Sequence, residues 1–240
     1  WAQMITCGVD VQQNCLYYAV DAWGQGKKIY HLDHGCIKGT DFNTLWDIIN
    51  QTYYNEKGQD WYIDLALIDS GDQTDLVYDF CYLHFPLTVP VKGSSRPIPA
   101  RFRRSEIQKE DSVAKGLSLI MCDGSYYKSM LYAKINAVDG SFQVFDGVDQ
   151  EYCEQVTSEH KVFERKNGVE SWVWQKKTSD AQNHYLDCEV YASCAADLMG
   201  AFALLEEPVE QPESEFQPEP EEDSWEEDTW DNDDWEDDWD

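Results

Sequence analysis

The sequence predicts an α/β fold in which a central mixed sheet, an antiparallel meander continued by parallel crossovers, is flanked by helices and followed by a disordered acidic tail. Three observations carry this. The first 37 residues hold three apolar-rich runs joined by short polar turns, which is the pattern of antiparallel neighbours. Residues 63–91 read strand, helix, strand with brief connections, the pattern of a parallel crossover. Beyond residue 205 the chain becomes Pro, Glu and Asp, and cannot bury enough apolar surface to fold alone. The expected division is therefore 1–205 for the folded domain and 206–240 for the tail.

In order, residues 4–11 and 15–23 form the first two strands around Gln12-Gln13-Asn14, and Lys27 to Ile37 forms the third after Gly24-Gln25-Gly26. Asp41 is placed to cap a helix whose stripe is Leu45, Ile48, Ile49 and Thr52. Ile63 to Ile68 is a short apolar strand ending in Asp69-Ser70-Gly71, followed by a helix over Thr74 to Tyr82 and a strand over Leu87 to Val91. From Lys92 to Lys115, prolines and serines predict irregular structure. Leu117 to Cys122 reads as a strand, Tyr126 to Ile135 as a helix, Phe142 to Phe145 as a strand and Val148 to Ser158 as a brief helix. Asn167-Gly168 is a strong hairpin signal between Lys161–Arg165 and Glu170–Gln175. A helix over Asp180 to Leu205 follows, with Tyr185, Cys188, Tyr191, Ala192, Ala195 and Leu198 at helical spacing.

The formal charge of −29 is unevenly spread. Residues 206–240 carry 19 of the 47 acids and no Lys or Arg, leaving 28 acids against 18 bases in the body. Trp225, Trp230, Trp235 and Trp239 punctuate the tail, which is either a solvated segment or a docking segment steered by charge towards a basic partner. No apolar run approaches the roughly 20 residues that span a bilayer, and no secretory signal is visible, so a soluble protein is expected. The eight cysteines lie in apolar segments without a C-x-x-C pair, which predicts reduced core residues of a cytoplasmic protein rather than a zinc or disulfide framework.

Three acids follow or sit within apolar segments far apart in sequence: Asp10 closing ITCGVDV, Asp69 closing LALID, and Asp187 on the last helix. If the first and fourth strands pair, Asp10 and Asp69 are neighbours at the carboxyl ends of parallel strands, where α/β sheets place ligands. Clustered carboxylates suit Mg²⁺ or Mn²⁺, and two such ions about 4 Å apart can activate water and stabilise a leaving oxygen in phosphodiester hydrolysis. His184, three residues before Asp187, shares its helix face and is a candidate metal ligand or positioner of water. Lys92, Arg96, Arg101, Arg103, Arg104, Lys109 and Lys115 make residues 92–115 the most basic stretch, suited to a phosphate backbone, though Glu106, Glu110 and Asp111 dilute it.

The ordered motifs ITCGVDVQ, ALIDSG followed by YDF, VPVKG and NHYLDCEVYA resemble the nuclease domain of the large terminase subunit of tailed bacteriophages, in particular the lambda-like branch, over approximately residues 4–203. The resemblance implies a ribonuclease H-like fold and metal-dependent cutting of concatemeric viral double-stranded DNA during genome packaging, in the cytoplasm of the infected host. It implies that Asp10, Asp69 and Asp187 hold the metal ions, that Lys92 contacts phosphate, and that His184 belongs to the site. The implied partners are an ATP-driven motor domain, a small terminase subunit and a portal protein. No G-x-x-x-x-G-K-[ST] occurs, so the motor is expected to lie outside this sequence. The tail falls outside the resemblance, and contact with the portal or occupation of the DNA groove are the expectations for it. The competing readings are a junction resolvase or transposase-like nuclease of the same fold, a nucleotide-binding ATPase built on Gly8-Val9-Asp10 and Asp69-Ser70-Gly71, and a non-catalytic interaction protein acting through its tail.

Overall fold

The computed structural model describes residues 1–94, 98–166 and 168–204; Arg96, Asn167 and the acidic tail lie outside the described residues. Strands β1 (Ala2–Val11), β2 (Cys15–Gly24) and β3 (Lys28–Lys38) form the expected antiparallel meander. Helix α1 (Phe42–Ile49) begins where Asp41 accepts from the Asn43 and Thr44 amides, satisfying two otherwise orphaned donors. It ends before Thr52, which therefore leaves the predicted stripe. A two-residue ladder, β4 (Tyr53–Tyr54) with β5 (Asp60–Trp61), precedes β6 (Leu65–Asp69), α2 (Thr74–Leu83) and β7 (Thr88–Gly93).

The stretch expected to be irregular contains a strand, β8 (Phe102–Glu106), paired antiparallel with β9 (Ser118–Cys122). Its physical basis is an edge position: charged side chains on an outer strand are solvated and discourage pairing with another chain. Helix α3 (Gly124–Ile135), strand β10 (Phe142–Val144), helix α4 (Gln150–Val156) and the hairpin β11 (Glu159–Lys166) with β12 (Val169–Lys176) fall close to expectation. Helix α5 (His184–Leu198) is shorter than predicted at both ends. Gly200, at φ 91°, turns the chain into the left-handed region that stops a helix, and a short 3₁₀ turn Ala201–Ala203 follows.

The eight-stranded sheet runs β10-β3-β2-β1-β6-β7-β9-β8, with β1, β6, β7 and β9 mutually parallel. Its core order is β3-β2-β1-β6-β7, with β2 antiparallel to its neighbours, the expected mixed sheet of a meander continued by parallel crossovers. Alternation along each strand divides the core. Ile5, Cys7, Val9, Ala66 and Ile68 pack with α1 and α2 on one face, while Leu65, Leu67, Val89, Val91 and Ile120 pack with α3 and α5 on the other. No helix among the described residues is long and apolar enough to cross a membrane. All eight cysteines are free, as expected; Cys36 and Cys153 are exposed rather than in the core.

Candidate active site at the carboxyl ends of β1 and β6

Parallel pairing of β1 with β6 decides where the acids meet. The register sets Val9 beside Ile68, so Asp10 and Asp69 each stand one step further along neighbouring strands, at their carboxyl ends. Asp187 arrives from above on the first turn of α5. That approach depends on Gly8: a Cβ there would stand 1.9 Å from the Cys188 carbonyl oxygen and 2.6 Å from the Ala192 nitrogen. Only glycine lets the helix backbone lie this close to the strand. The Thr6 hydroxyl locks the contact by donating to the Ala192 carbonyl at 2.9 Å, and itself accepts from the buried Trp23 indole at 2.8 Å.

Asp10 is buried, and its carboxylate accepts from the Gln12 amide at 2.9 and 3.0 Å. His184 Nδ1 lies 2.7 Å from Asp10 Oδ2, its Nε2 lies 2.8 Å from Gln182 Oε1, and its ring stacks on Tyr17 with centroids 4.4 Å apart. Both imidazole nitrogens are therefore engaged. Asp69 accepts from the Gly71 amide at 3.1 Å. Burial first, then the charge of Asp10, push its carboxyl up to about 7; Asp187 adds to the rise, and the Gly71 amide and Tyr191 hydroxyl oppose it. Burial also raises Asp187, against the pull of Lys128, with Asp10 adding to the rise. Asp187 takes the Lys128 ammonium at 3.2 Å and the Asn183 amide at 3.1 Å, and Glu159 receives both donors at 2.8 Å.

Asp69 and Asp187, raised by burial and by the neighbouring Asp10 charge, form with Asp10 a donor set short of positive charge, and the hard oxygen ligands fit Mg²⁺ or Mn²⁺. Lys128 supplies one compensating charge to Asp187. Gln12, Lys128, Glu159, Asn183 and Tyr191 were not singled out from sequence. Asn183 and Tyr191 stand four residues before and after Asp187, a helical spacing that marks shared-face neighbours. Lys128 and Glu159 come from α3 and β11, and no sequence pattern ties them to the acids.

Residues 1–204 match the family described as terminase large subunit gpA, endonuclease domain. The chain belongs to this terminase endonuclease family. The resemblance read from the four motifs is thereby upheld, and with it a nuclease of phage DNA packaging. No curated protein and no solved structure gives a significant match.

The basic residues of this terminase nuclease are distributed differently from one another. Cross-strand registers align Asp69 with Val91, Ile120 and Arg104, and align Lys92 with Met121 and Arg103. Lys92 and Arg103 thus share one row two strands apart, roughly 10 Å, and alternation puts them on the face opposite Asp69. Arg103 and Arg104 are exposed on the edge strand. Arg101 instead makes a two-point ion pair with Asp197, at 2.7 and 2.9 Å, near the far end of α5 from Asp187. Tyr127 donates to the same carboxylate at 2.9 Å. Lys109 pairs with Asp75 and Lys115 with Glu110 at the surface.

A second acid cluster went unnoticed in the sequence. Asp21 of β2, His31 of β3 and Glu189 of α5 are all buried, with one ligand atom from each lying within 4.8 Å of the others. Asp21 and His31 are cross-strand partners beside a register shift that leaves Leu32 of β3 unpaired. Burial alone would lower the His31 imidazole; hydrogen bonds and charges from Asp21 and Glu189 outweigh it and hold the group up at about 10.

Proposed function

We propose that this terminase nuclease cuts concatemeric viral double-stranded DNA during packaging by metal-dependent hydrolysis at Asp10, Asp69 and Asp187. The observation that carries the reading is the parallel β1–β6 register, which brings two acids from distant segments to one strand end under a third on α5. Those three carboxylates would hold two Mg²⁺ or Mn²⁺ ions, and His184 is the fourth group of the site. Bound there, such ions supply an activated water and charge neutralisation at the scissile phosphate.

The chain's own groups do the positioning. Gln12 and His184 fix the Asp10 carboxylate, the Gly71 amide fixes Asp69, and Lys128 with Asn183 fixes Asp187. Arg104, exposed and in the row of Asp69, is the first residue for the DNA backbone beside the acids; Lys92 and Arg103 lie on the other face, and Arg101, Lys109 and Lys115 would exchange a carboxylate partner for phosphate. The motor domain, small subunit and portal remain its proposed partners, and choice of cutting site is assigned to them. Supercoiled plasmid incubated with Mg²⁺ or Mn²⁺ tests the reading. The native chain should nick and linearise it while Asp10→Asn and Asp187→Asn do not. Equal cutting by all three would remove the assignment, and preference for branched over linear duplex would move it to a resolvase.

A further inference from the structure

Asp21, His31 and Glu189 lie outside the proposed cutting chemistry, and two carboxylates converge on one imidazole nitrogen, a geometry that serves a shared hydrogen bond or the inner ligands of an ion. Asp21 Oδ1 and Glu189 Oε1 stand 2.9 and 3.2 Å from the same nitrogen, His31 Nδ1. Ligands bound about 2.0–2.2 Å from a divalent transition ion are separated from each other by roughly 2.9–3.5 Å, a spacing both oxygens keep from the nitrogen, and ligand atoms of all three residues lie within 4.8 Å of one another.

A second observation is independent of that spacing. Asp21 Oδ2 and Glu189 Oε2 are buried and have no hydrogen-bond partner among the described residues. The two carboxyls also hydrogen-bond each other, and burial together with the Glu189 charge drives Asp21 towards its protonated form. Without an ion the pair is satisfied by a shared proton, and a cation displacing that proton would satisfy both outward oxygens. The surroundings also have the outer shell that orients metal-binding histidines. His31 Nε2 is 3.0 Å from His34 Nδ1, and His34 Nε2 is 3.4 Å from Asp149. The Tyr152 hydroxyl donates to Glu189 Oε1 at 2.7 Å while its ring stacks on His31, centroids 4.2 Å apart.

We propose that Asp21, His31 and Glu189 bind a divalent transition ion of the zinc class, as a structural site separate from the cutting acids. One neutral imidazole and two carboxylates bring a charge of −2, which a divalent ion cancels in a dry interior. Imidazole suits zinc, whereas Mg²⁺ keeps several waters and prefers an all-oxygen octahedron. The ion would tie β2, β3 and α5 together, the elements that frame the acid-bearing end of the sheet.

The test uses the full chain carrying Asp10→Asn and Asp187→Asn, so that the proposed cutting site does not contribute, produced in zinc-supplemented medium and dialysed against a weak chelator. Metal analysis should find roughly one zinc per chain, falling below about a tenth when Glu189→Gln or His31→Gln is added. Absence of zinc from the parent, or its full retention after either substitution, overturns the site and leaves three groups neutralised by protons. Should the added substitutions prevent folding, diffraction from the parent at the zinc absorption edge decides. An anomalous peak among the three side chains supports the site, and none there removes it. Cleavage is not part of this measurement, so it stands or falls separately from the nuclease reading.

Discussion

Helix α5 serves two acid clusters from residues two apart, and they behave oppositely. Asp187 joins Asp10 and Asp69 at the rim of the sheet, where burial and then the Asp10 charge raise Asp69 and Asp187, while Lys128 stands against Asp187 and His184 against Asp10. Glu189 turns into the interior, where His31 lies between it and Asp21 and holds Glu189 below the ordinary carboxylate range against the effect of burial. Positions i and i+2 on a helix point away from each other, so one helix can feed an open site at the strand ends and a sealed one in the interior. The difference teaches what burial decides: the aspartate site at the strand end is open to water and to a substrate through Asp69 and Asp187, whereas Asp21, His31 and Glu189 are sealed and must have their charge matched from within, by protons or by one ion.

The contrast can be broken from either side. Asp187→Asn should leave the fold intact and lower plasmid cleavage by on the order of a thousandfold, about 4 kcal/mol of transition-state stabilisation; circular dichroism with a cleavage time course checks both halves. Glu189→Ala should do the reverse in kind, costing roughly 3–5 kcal/mol of stability by leaving a cavity and an unpartnered Tyr152 hydroxyl and taking one of two carboxylates from the buried His31, as read by urea unfolding. Gly8→Ala links the two clusters. Its Cβ would meet the α5 backbone, so a loss of about 1–3 kcal/mol in stability is expected together with weaker cleavage, because Asp187 moves with the helix.

Acidity provides a finer separation. In chelator, the folded His31 titrates near 10 against an ordinary value of 6.5, so its contribution to stability is fully present below pH 6.5 and is lost as pH rises through 10. Denaturant midpoints should fall across that window, by at most about 1.4 kcal/mol per pH unit for this one proton. His31→Gln should flatten the fall; an unchanged slope would show that His31 is not the titrating group. The smallest effect belongs to the edge strand: Arg103→Ala or Arg104→Ala should weaken DNA binding a few-fold and reduce its salt slope by about 1, without changing the metal dependence of cutting.

Much of the fold was legible because local rules and tertiary structure agree. The meander, the β6-α2-β7 crossover and the Asp41 cap follow from apolar runs, turns and capping chemistry that lie within a few residues of each other. The basic stretch misled because prolines and serines surround Phe102–Glu106, whose strand character comes from pairing with β9 rather than from its own composition. The Arg101–Asp197 pair could not be read from sequence because the two residues are 96 positions apart. Asp21 was hidden in the middle of CLYYAVDAWG, where a lone acid in an apolar strand has no meaning until its cross-strand partner is known.

By itself, the sequence determined the order of the elements, the family through four motifs, and the identity of three acids that close or interrupt apolar segments. Tertiary structure alone decided that Asp10 and Asp69 are adjacent, that Gly8 admits α5, that Lys128 reaches Asp187, and that Asp21, His31 and Glu189 share one pocket of space. The reason is physical: propensity and periodicity act over a turn or a strand, whereas which charge faces which depends on sheet register and helix docking, and those are selected by the packing of the whole core.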